Sequence, residues 1–555
     1  MEHLSLRLAW HNDGWNGCVC KDPKKNTYCI GNQSFPGTLI AEQRDLEREC
    51  QIAGTSCAKL QEVIACSNSI NAFGLDTIKN RSIPPTFFNK DAEIYYYDMP
   101  PATACTWPYE AMYSDEEDKY NYDKKLENAK SFFGKLIPQK SLVFYYANKS
   151  NPFSEDDNKN YVLVGIGRLK SVGEIMYYEN TDQRVKDTYG GGFIWQMPIT
   201  SNYPNEGFRI PYHKYLDNPE ILNNLLYIPE QSNNFKYAAK HINDDDALIY
   251  IERLISIVQY LIDIKDTTED WNVRKAWLQS LMAELWISRG AYPGLPALLD
   301  YLECNELISY YFDASKLNDS QTVAVDILNF LEDRSVETIG SLEKPICDKY
   351  HKNWAVKLVT AKHKVLAKLL ARISLKKEQI EHILDDARAQ NGITSSLSDI
   401  IDDIYILCEQ YVGDNIGDEI TFNKIDHGVI PSPNIGLEPL YDKDDWRRLR
   451  ALIVGVLKYE TIHSFIDQST VLERVNHKLQ FLPDWKKENF NDAHIEYDKV
   501  NLENSIVFKQ KEKSIYLYLK QVFEDERLIE DNLKELLGRG GCEIIQTFSQ
   551  RKMEK

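Results

Sequence analysis

A chain of 555 residues is too long for one hydrophobic core, and at roughly 150 residues per domain it predicts three or four domains. Its 43% apolar and 27% charged residues describe a folded protein and exclude large-scale disorder. A net charge of −19 excludes a protein that coats nucleic acid over its whole surface, while leaving room for a local basic groove.

No run approaches the ~18 consecutive apolar residues of a membrane helix, so no membrane is expected as a partner. Met1-Glu2-His3-Leu4-Ser5 lacks the basic and apolar regions of a secretory leader, so a cytoplasmic location is expected. Composition shifts along the chain predict an α+β protein. A Cys-rich N-terminal domain is expected over residues 1–115 and a small β domain over 116–240. A helical scaffold follows over 241–390, and a further helical region over 391–555.

The N-terminal region carries Cys18, Cys20, Cys29, Cys50, Cys57 and Cys66. Two pairs share one interval, Cys20 with Cys29 and Cys57 with Cys66, so four thiolates from two loops form a candidate Zn or iron–sulfur site. His3 or His11 would serve in place of one thiolate. The alternative is that these cysteines are small buried hydrophobes, and the tight C-x2-C spacing of zinc ribbons is absent.

Ser141-Leu142-Val143-Phe144-Tyr145-Tyr146 and Tyr161-Val162-Leu163-Val164-Gly165-Ile166-Gly167 read as strands around a turn-rich segment. Tyr146, Asn148 and Ser150 are of the types that stack on and hydrogen-bond an exposed base. An ordinary small sheet with aromatic core residues is the competing reading. This strand–loop–strand opening resembles that of PUA-like base-binding domains, which implies a base pocket beside these three residues.

From Asp244 the apolar period becomes that of helices, with carboxylates of Asp244-Asp245-Asp246 in a first turn where the helix dipole favours them. Helices are expected over 277–286, 296–312, 319–333, 350–373, 376–390, 397–411, 444–459, 469–479 and 510–537, with a loop over 413–442. On the helix expected over 350–373 and its continuation, Lys357, Lys364, Lys368, Arg372 and Lys376 form one stripe opposite Trp354, Leu358, Val365, Leu366, Leu369 and Ile373. That stripe is a candidate track for a phosphate backbone, against the alternative of a solvated lysine face. Arg447, Arg448 and Arg450 open a later helix and form a second candidate DNA contact.

The stretch from about 376 to 540 resembles the non-motor region preceding the ATPase core of RecD-type superfamily 1 helicases. Asp402-Asp403-Ile404-Tyr405-Ile406-Leu407 and Glu409-Gln410-Tyr411-Val412-Gly413 match its helix-hairpin-helix module. Arg447-Arg448-Leu449-Arg450-Ala451-Leu452 and Ile462-His463-Ser464-Phe465 match its winged-helix-like element, and Ser514-Ile515-Tyr516-Leu517 with Glu526 to Leu537 its last strand and helix. Leu8-Ala9-Trp10-His11-Asn12-Asp13-Gly14-Trp15, Ser150-Asn151-Pro152-Phe153-Ser154 and Ser288-Arg289-Gly290-Ala291-Tyr292-Pro293-Gly294-Leu295 resemble the N-terminal region of very large bacterial helicases of this type. Two departures stand out. Acidic Gly413-Asp414-Asn415-Ile416-Gly417-Asp418-Glu419 replaces the Gly-Ile-Gly hairpin that holds a DNA backbone, and the motor's phosphate-binding loop would fall beyond Lys555.

No G-x-x-x-x-G-K-[ST], H-E-x-x-H, G-x-S-x-G or dinucleotide fingerprint occurs, so no nucleotide cofactor and no catalytic residue is expected. The expected function is DNA binding, to single strands or junctions, by an accessory region that works with a helicase motor or nuclease partner. The resemblance implies a setting in DNA repair or anti-phage defence. Two alternatives remain at this point: a metal-dependent nuclease or base-modifying enzyme using the Cys cluster, and a structural protein–protein adaptor.

Overall fold

The computed structural model describes residues 1–8, 17–24, 46–60, 71–82, 95–106, 108, 121–148, 161–174, 176–179, 193–229, 232–235, 238–414, 418–460 and 462–538. The protein is α+β, with a curled sheet in its N-terminal half and a mostly helical C-terminal half. It divides into two compact units, Met1–Ser288 and Arg289–Lys555.

In chain order the first unit contains β1 (His3–Leu8), α1 (Leu46–Gln51), β2 (Ile78–Ser82), β3 (Tyr95–Met99), β4 (Thr103–Thr106), α2 (Tyr122–Gly134), β5 (Leu142–Asn148), β6 (Tyr161–Val172), β7 (Met176–Glu179), β8 (Phe193–Ser201), β9 (Gly207–Arg209), α3 (Pro219–Leu225), β10 (Ala239–Ile242), α4 (Asp244–Asp263) and α5 (Trp271–Arg289). The sheet runs β10-β1-β5-β6-β8-β4, with β7 on β8 and β9 on β6; β2 and β3 form a separate hairpin. β1 and β5 are parallel, whereas β1 with β10 and β5 with β6 are antiparallel.

The apolar runs of β5 and β6 form strands buried on both faces, as expected for the centre of a covered sheet. Gly165 is required at the β6–β9 crossing. A Cβ there would stand 2.6 Å from both the Phe208 carbonyl oxygen and the Phe73 ring. Helices α4 and α5 cover the sheet through aromatic contacts, Tyr250 edge-on to Phe144 (5.3 Å) and Trp271 edge-on to Phe208 (5.7 Å). His3 ties three elements together. Its Nδ1 accepts from the Leu142 backbone N–H (3.0 Å), which leaves Nε2 to donate to the Asp244 carboxylate (3.0 Å).

The boundaries expected at 115/116 and 240/241 are therefore corrected. β1, from the Cys-rich stretch, lies between β5 and β10, and β4 pairs with β8. A central strand with a vacant edge would leave buried N–H and C=O groups unpaired, and the N-terminal segment supplies their partners. Such pairing spans long sequence separations and leaves no trace in local composition.

The second unit begins with a helical module: α6 (Leu295–Tyr301), α7 (Asn305–Ala314), α8 (Ser320–Glu332), α9 (Lys344–Lys357), α10 (Ala361–Leu370), α11 (Lys377–Leu384), α12 (Leu397–Asp402), α13 (Ile406–Gln410) and α14 (Phe422–Val429). These share one apolar core. The single helix expected over 350–373 is two, because Thr360 caps a new one by accepting from the His363 N–H (3.2 Å). The loop expected over 413–442 contains α14.

A second core follows, built from α15 (Trp446–Lys458), β11 (Phe465–Asp467), α16 (Gln468–Leu479), α17 (Asp492–Leu502), β12 (Ile506–Lys511) and β13 (Ser514–Leu519), with α18 (Lys520–Gly538) leaving the last strand. The three strands are antiparallel, with β13 between β11 and β12. The order of these elements is helix–strand–helix–helix–strand–strand. Among the described residues, no helix is long and apolar enough to cross a membrane.

Candidate nucleic-acid interface

Helix α15 serves both cores of the second unit. Leu449, Leu452, Ile453 and Val456 enter the second core, while Arg448 and Arg450 reach into the helical module. Arg448 is fully buried. Its Nε donates to Asp426 Oδ1 (2.9 Å), its Nη2 to Oδ2 (3.2 Å) and its Nη1 to the Lys443 carbonyl (2.8 Å). Lys486 Nζ lies 2.9 Å from the same carboxylate, and the Tyr405 hydroxyl donates to it (2.6 Å). Burial alone would raise the Asp426 carboxyl, but Arg448 and Lys486 outweigh it and hold it well below the usual carboxylate range.

Arg450 is also buried and bridges two carboxylates, Glu409 (2.8 Å) and Asp403. One guanidinium between two buried acids does not fully compensate them. Burial pushes Glu409 up to about 7 and raises Asp403. Arg372 is buried too, donating to the carbonyls of Gly428 (3.0 Å) and Glu438 (2.6 Å), and burial lowers its guanidinium to about 10.

These positions correct the expected phosphate contacts. Arg372, Arg448 and Arg450 are internal struts, because N–H groups committed to buried acceptors do not reach a ligand in solvent. Arg447 is partly buried, pairing with Asp445 (2.9 Å) and lying 4.3 Å over the Tyr441 ring. Lys357 pairs with Glu303 (2.8 Å), Lys368 with Glu332 and Lys376 with Asp418 (3.3 Å), while Lys364 is half-buried on α10. The expected continuous stripe is thus divided among separate elements. Such surface pairs are individually weak, yet their acids cancel much of the local positive field.

The base-reading expectation is corrected at Tyr146. Its ring is fully buried, edge-on to Phe235 (5.3 Å) and Tyr161 (5.8 Å), and burial pushes its phenol up. Asn148 ends β5, and Ser150 lies outside the described residues. Cys20 and Cys57 are buried, and the segments bearing them are joined by Val19 N–H to the Thr55 carbonyl (2.9 Å) and Cys57 N–H to the Gly17 carbonyl (2.9 Å). Cys29 and Cys66 lie outside the described residues, as does His11. Among the described residues, no group of three or more His, Cys, Asp or Glu is placed to hold a metal.

A different surface gathers basic and aromatic groups. In the β11–β13–β12 sheet, Ile466, Leu517 and Ile506 point into the core. Alternation places Phe465, Tyr518 and Val507 in one row of the other face, and Asp467, Tyr516 and Lys509 in the next. Phe465 is 40% exposed and contacts both Tyr516 (5.4 Å) and Tyr518 (5.0 Å). The β12–β13 hairpin carries exposed Lys509, Lys511 and Lys513 around its Glu512 turn, with Lys509 Nζ 4.6 Å over the Phe523 ring of α18. The helix expected over 510–537 from its period overlaps this hairpin, whose second strand the helicase resemblance places at Ser514–Leu517. The alternation in Ile506-Val507-Phe508-Lys509 and Ile515-Tyr516-Leu517-Tyr518 is the signal that reveals it.

An uncharacterized protein of Methanocaldococcus jannaschii is 22% identical to this chain, over 97% of the chain and 45% of that relative. The chain therefore spans a little under half the length of the relative it matches. No family model matches the sequence, and no solved structure matches it.

Proposed function

We propose that this chain is a non-motor, DNA-holding region that works beside a helicase motor or nuclease, in the cytoplasm, in DNA repair or anti-phage defence. The observation that carries the reading is the exposed lysine hairpin on a module of helix–strand–helix–helix–strand–strand order, at the place where the sequence resembles the winged-helix-like element of RecD-type helicases. Lys509, Lys511 and Lys513 then take the phosphate role first expected of the basic helix. The motor would lie on a separate chain or on further length of a longer polypeptide, as the greater length of the archaeal relative allows.

The test is binding of a labelled single strand and a duplex to the protein across a salt series. Reversing Lys509, Lys511 and Lys513 to Glu is expected to abolish most binding at low salt. It should also reduce the salt slope by about 2, since each phosphate neutralised on a single strand supplies about 0.7 of that slope. Reversing Lys357 and Lys368 should have a much smaller effect. The opposite order of effects would return phosphate binding to the helical module, and no binding by wild-type protein at low salt would remove the reading.

The Cys cluster supports a second, separable reading, a Zn or iron–sulfur site completed by Cys29 and Cys66, because the segments bearing Cys20 and Cys57 are joined by hydrogen bonds. Elemental analysis should then find stoichiometric metal that is lost in Cys20→Ser. Folded, metal-free protein would eliminate it, and with it the metal-dependent nuclease or base-modifying alternative.

A further inference from the structure

We propose that the outer face of the β11–β13–β12 sheet binds unpaired nucleic-acid strand, with bases stacking on Phe465 and Tyr516 beside Tyr518 and phosphates held by Lys509, Lys511 and Lys513. The inference rests on the function proposed above and names the substrate form that this site selects.

Three observations carry it. The first is the pairing register, which puts the aromatic rings and Lys509 in adjacent rows of one face, with Lys511 opposite Ser514 at the hairpin end of that face. Rings interleaved with ammonium groups are the surface that a flexible strand requires, because every base has a π-face and every linkage a charge. The second is the third helix of the module, α17, the element that would enter the major groove of a duplex. It exposes Asp492 and Glu496, with Glu503 at its C-cap, against the single Lys499, and its outward apolar side chains include Tyr497 (90% exposed) and Val500 (80% exposed). A helix lined with carboxylates is repelled by the phosphates that flank a groove, so duplex reading by α17 is disfavoured. The third is the position of the acids near the sheet face. Asp467 is occupied in capping α16, accepting from the Ser469 N–H (3.0 Å), Glu512 sits in the hairpin turn, and Glu526, on α18, lies near Tyr518. Lys509, Lys511 and Lys513 are all exposed along β12 and its turn, and Asp467, which shares a row with Tyr516 and Lys509, is already committed to its helix cap.

The test uses the full chain and four probes: a labelled oligothymidylate, a strand of equal length built wholly of abasic sites, a blunt duplex, and a polyglutamate peptide. Wild-type protein is expected to bind oligothymidylate at least about 10-fold more tightly than either the abasic strand or the duplex, the size of one base–aromatic stack. The double substitution Phe465→Ala with Tyr516→Ala should reduce oligothymidylate affinity by roughly 10- to 100-fold while leaving abasic binding unchanged. Tyr516→Phe, which keeps the ring, should retain binding. Equal binding of thymidylate and abasic strands would overturn stacking while leaving phosphate holding intact, and this comparison needs no variant to fold. Equal or tighter binding of duplex, or competition by polyglutamate as strong as by oligothymidylate, would also overturn it. Binding of none of the probes would remove the DNA-holding reading together with this inference.

Discussion

Asp426 shows how far a basic sequence word can mislead. Arg447-Arg448-Leu449-Arg450 reads as a phosphate-binding run, yet two of its three guanidinium groups meet carboxylates 22 to 47 positions away and vanish from the surface. The partners Asp403, Glu409 and Asp426 lie among ordinary helical residues, so nothing local announces the pairing. Asp426→Asn should be severely destabilising, by about 3–5 kcal/mol in denaturant unfolding, because it strands Arg448 and Lys486 in the interior. A loss below about 1 kcal/mol would show that water reaches the site. The two acids also carry opposite pH signatures. Asp426, depressed in the fold, contributes stability above the ordinary carboxylate pKa of about 3.9, and this is lost in stronger acid. Glu409, raised to about 7, contributes stability below about 4.3, its ordinary value, and this is lost as pH rises through 7. Glu409→Gln should therefore improve relative to wild type between pH 5 and pH 8 in thermal melts, and a constant difference would refute the raised carboxyl.

At the scale of elements, β5 and β6 were readable from their apolar runs, though β6 continues five residues past Gly167, and α8, α15 and α16 from their 3.6-residue period, within a residue or two of their observed ends. The errors share a physical cause. The expected helix over 510–537 joined a hairpin to the helix after it, because Lys, Gln and Glu suit either state and the two-residue turn at Glu512-Lys513 lacks the glycine that usually marks one. The base-reading expectation is corrected at Tyr146 because a tyrosine in a strand interior looks the same in sequence whether it faces a ligand or a core. Close packing decided it, and β6 records that packing at Gly165. Gly165→Ala should destabilise the first unit by about 1–3 kcal/mol in thermal or denaturant melts, since the obstructing atom of Phe208 is a backbone carbonyl that cannot turn aside. A neutral effect would mean that β9 is free to shift.

At the scale of the whole molecule, the fold class was legible and the partition was not. Composition separates a Cys-rich stretch from a β-rich one, whereas the sheet draws strands from both. Residues 116–288 expressed alone should therefore be insoluble or molten, lacking β1 and β4, while 1–288 should show cooperative unfolding and near-ultraviolet dichroism. A stable 116–288 would restore the boundary that composition suggests. The place of β1 also has a consequence for how the protein is made. Its parallel neighbour, β5, begins at Leu142 and its antiparallel neighbour, β10, ends at Ile242. β1 is thus made well before the strands that pair its two edges. Throughout synthesis of the N-terminal half, the nascent chain carries an apolar strand with an open hydrogen-bonding edge, the form of chain that aggregates with its neighbours on a polysome and that a holding chaperone shields.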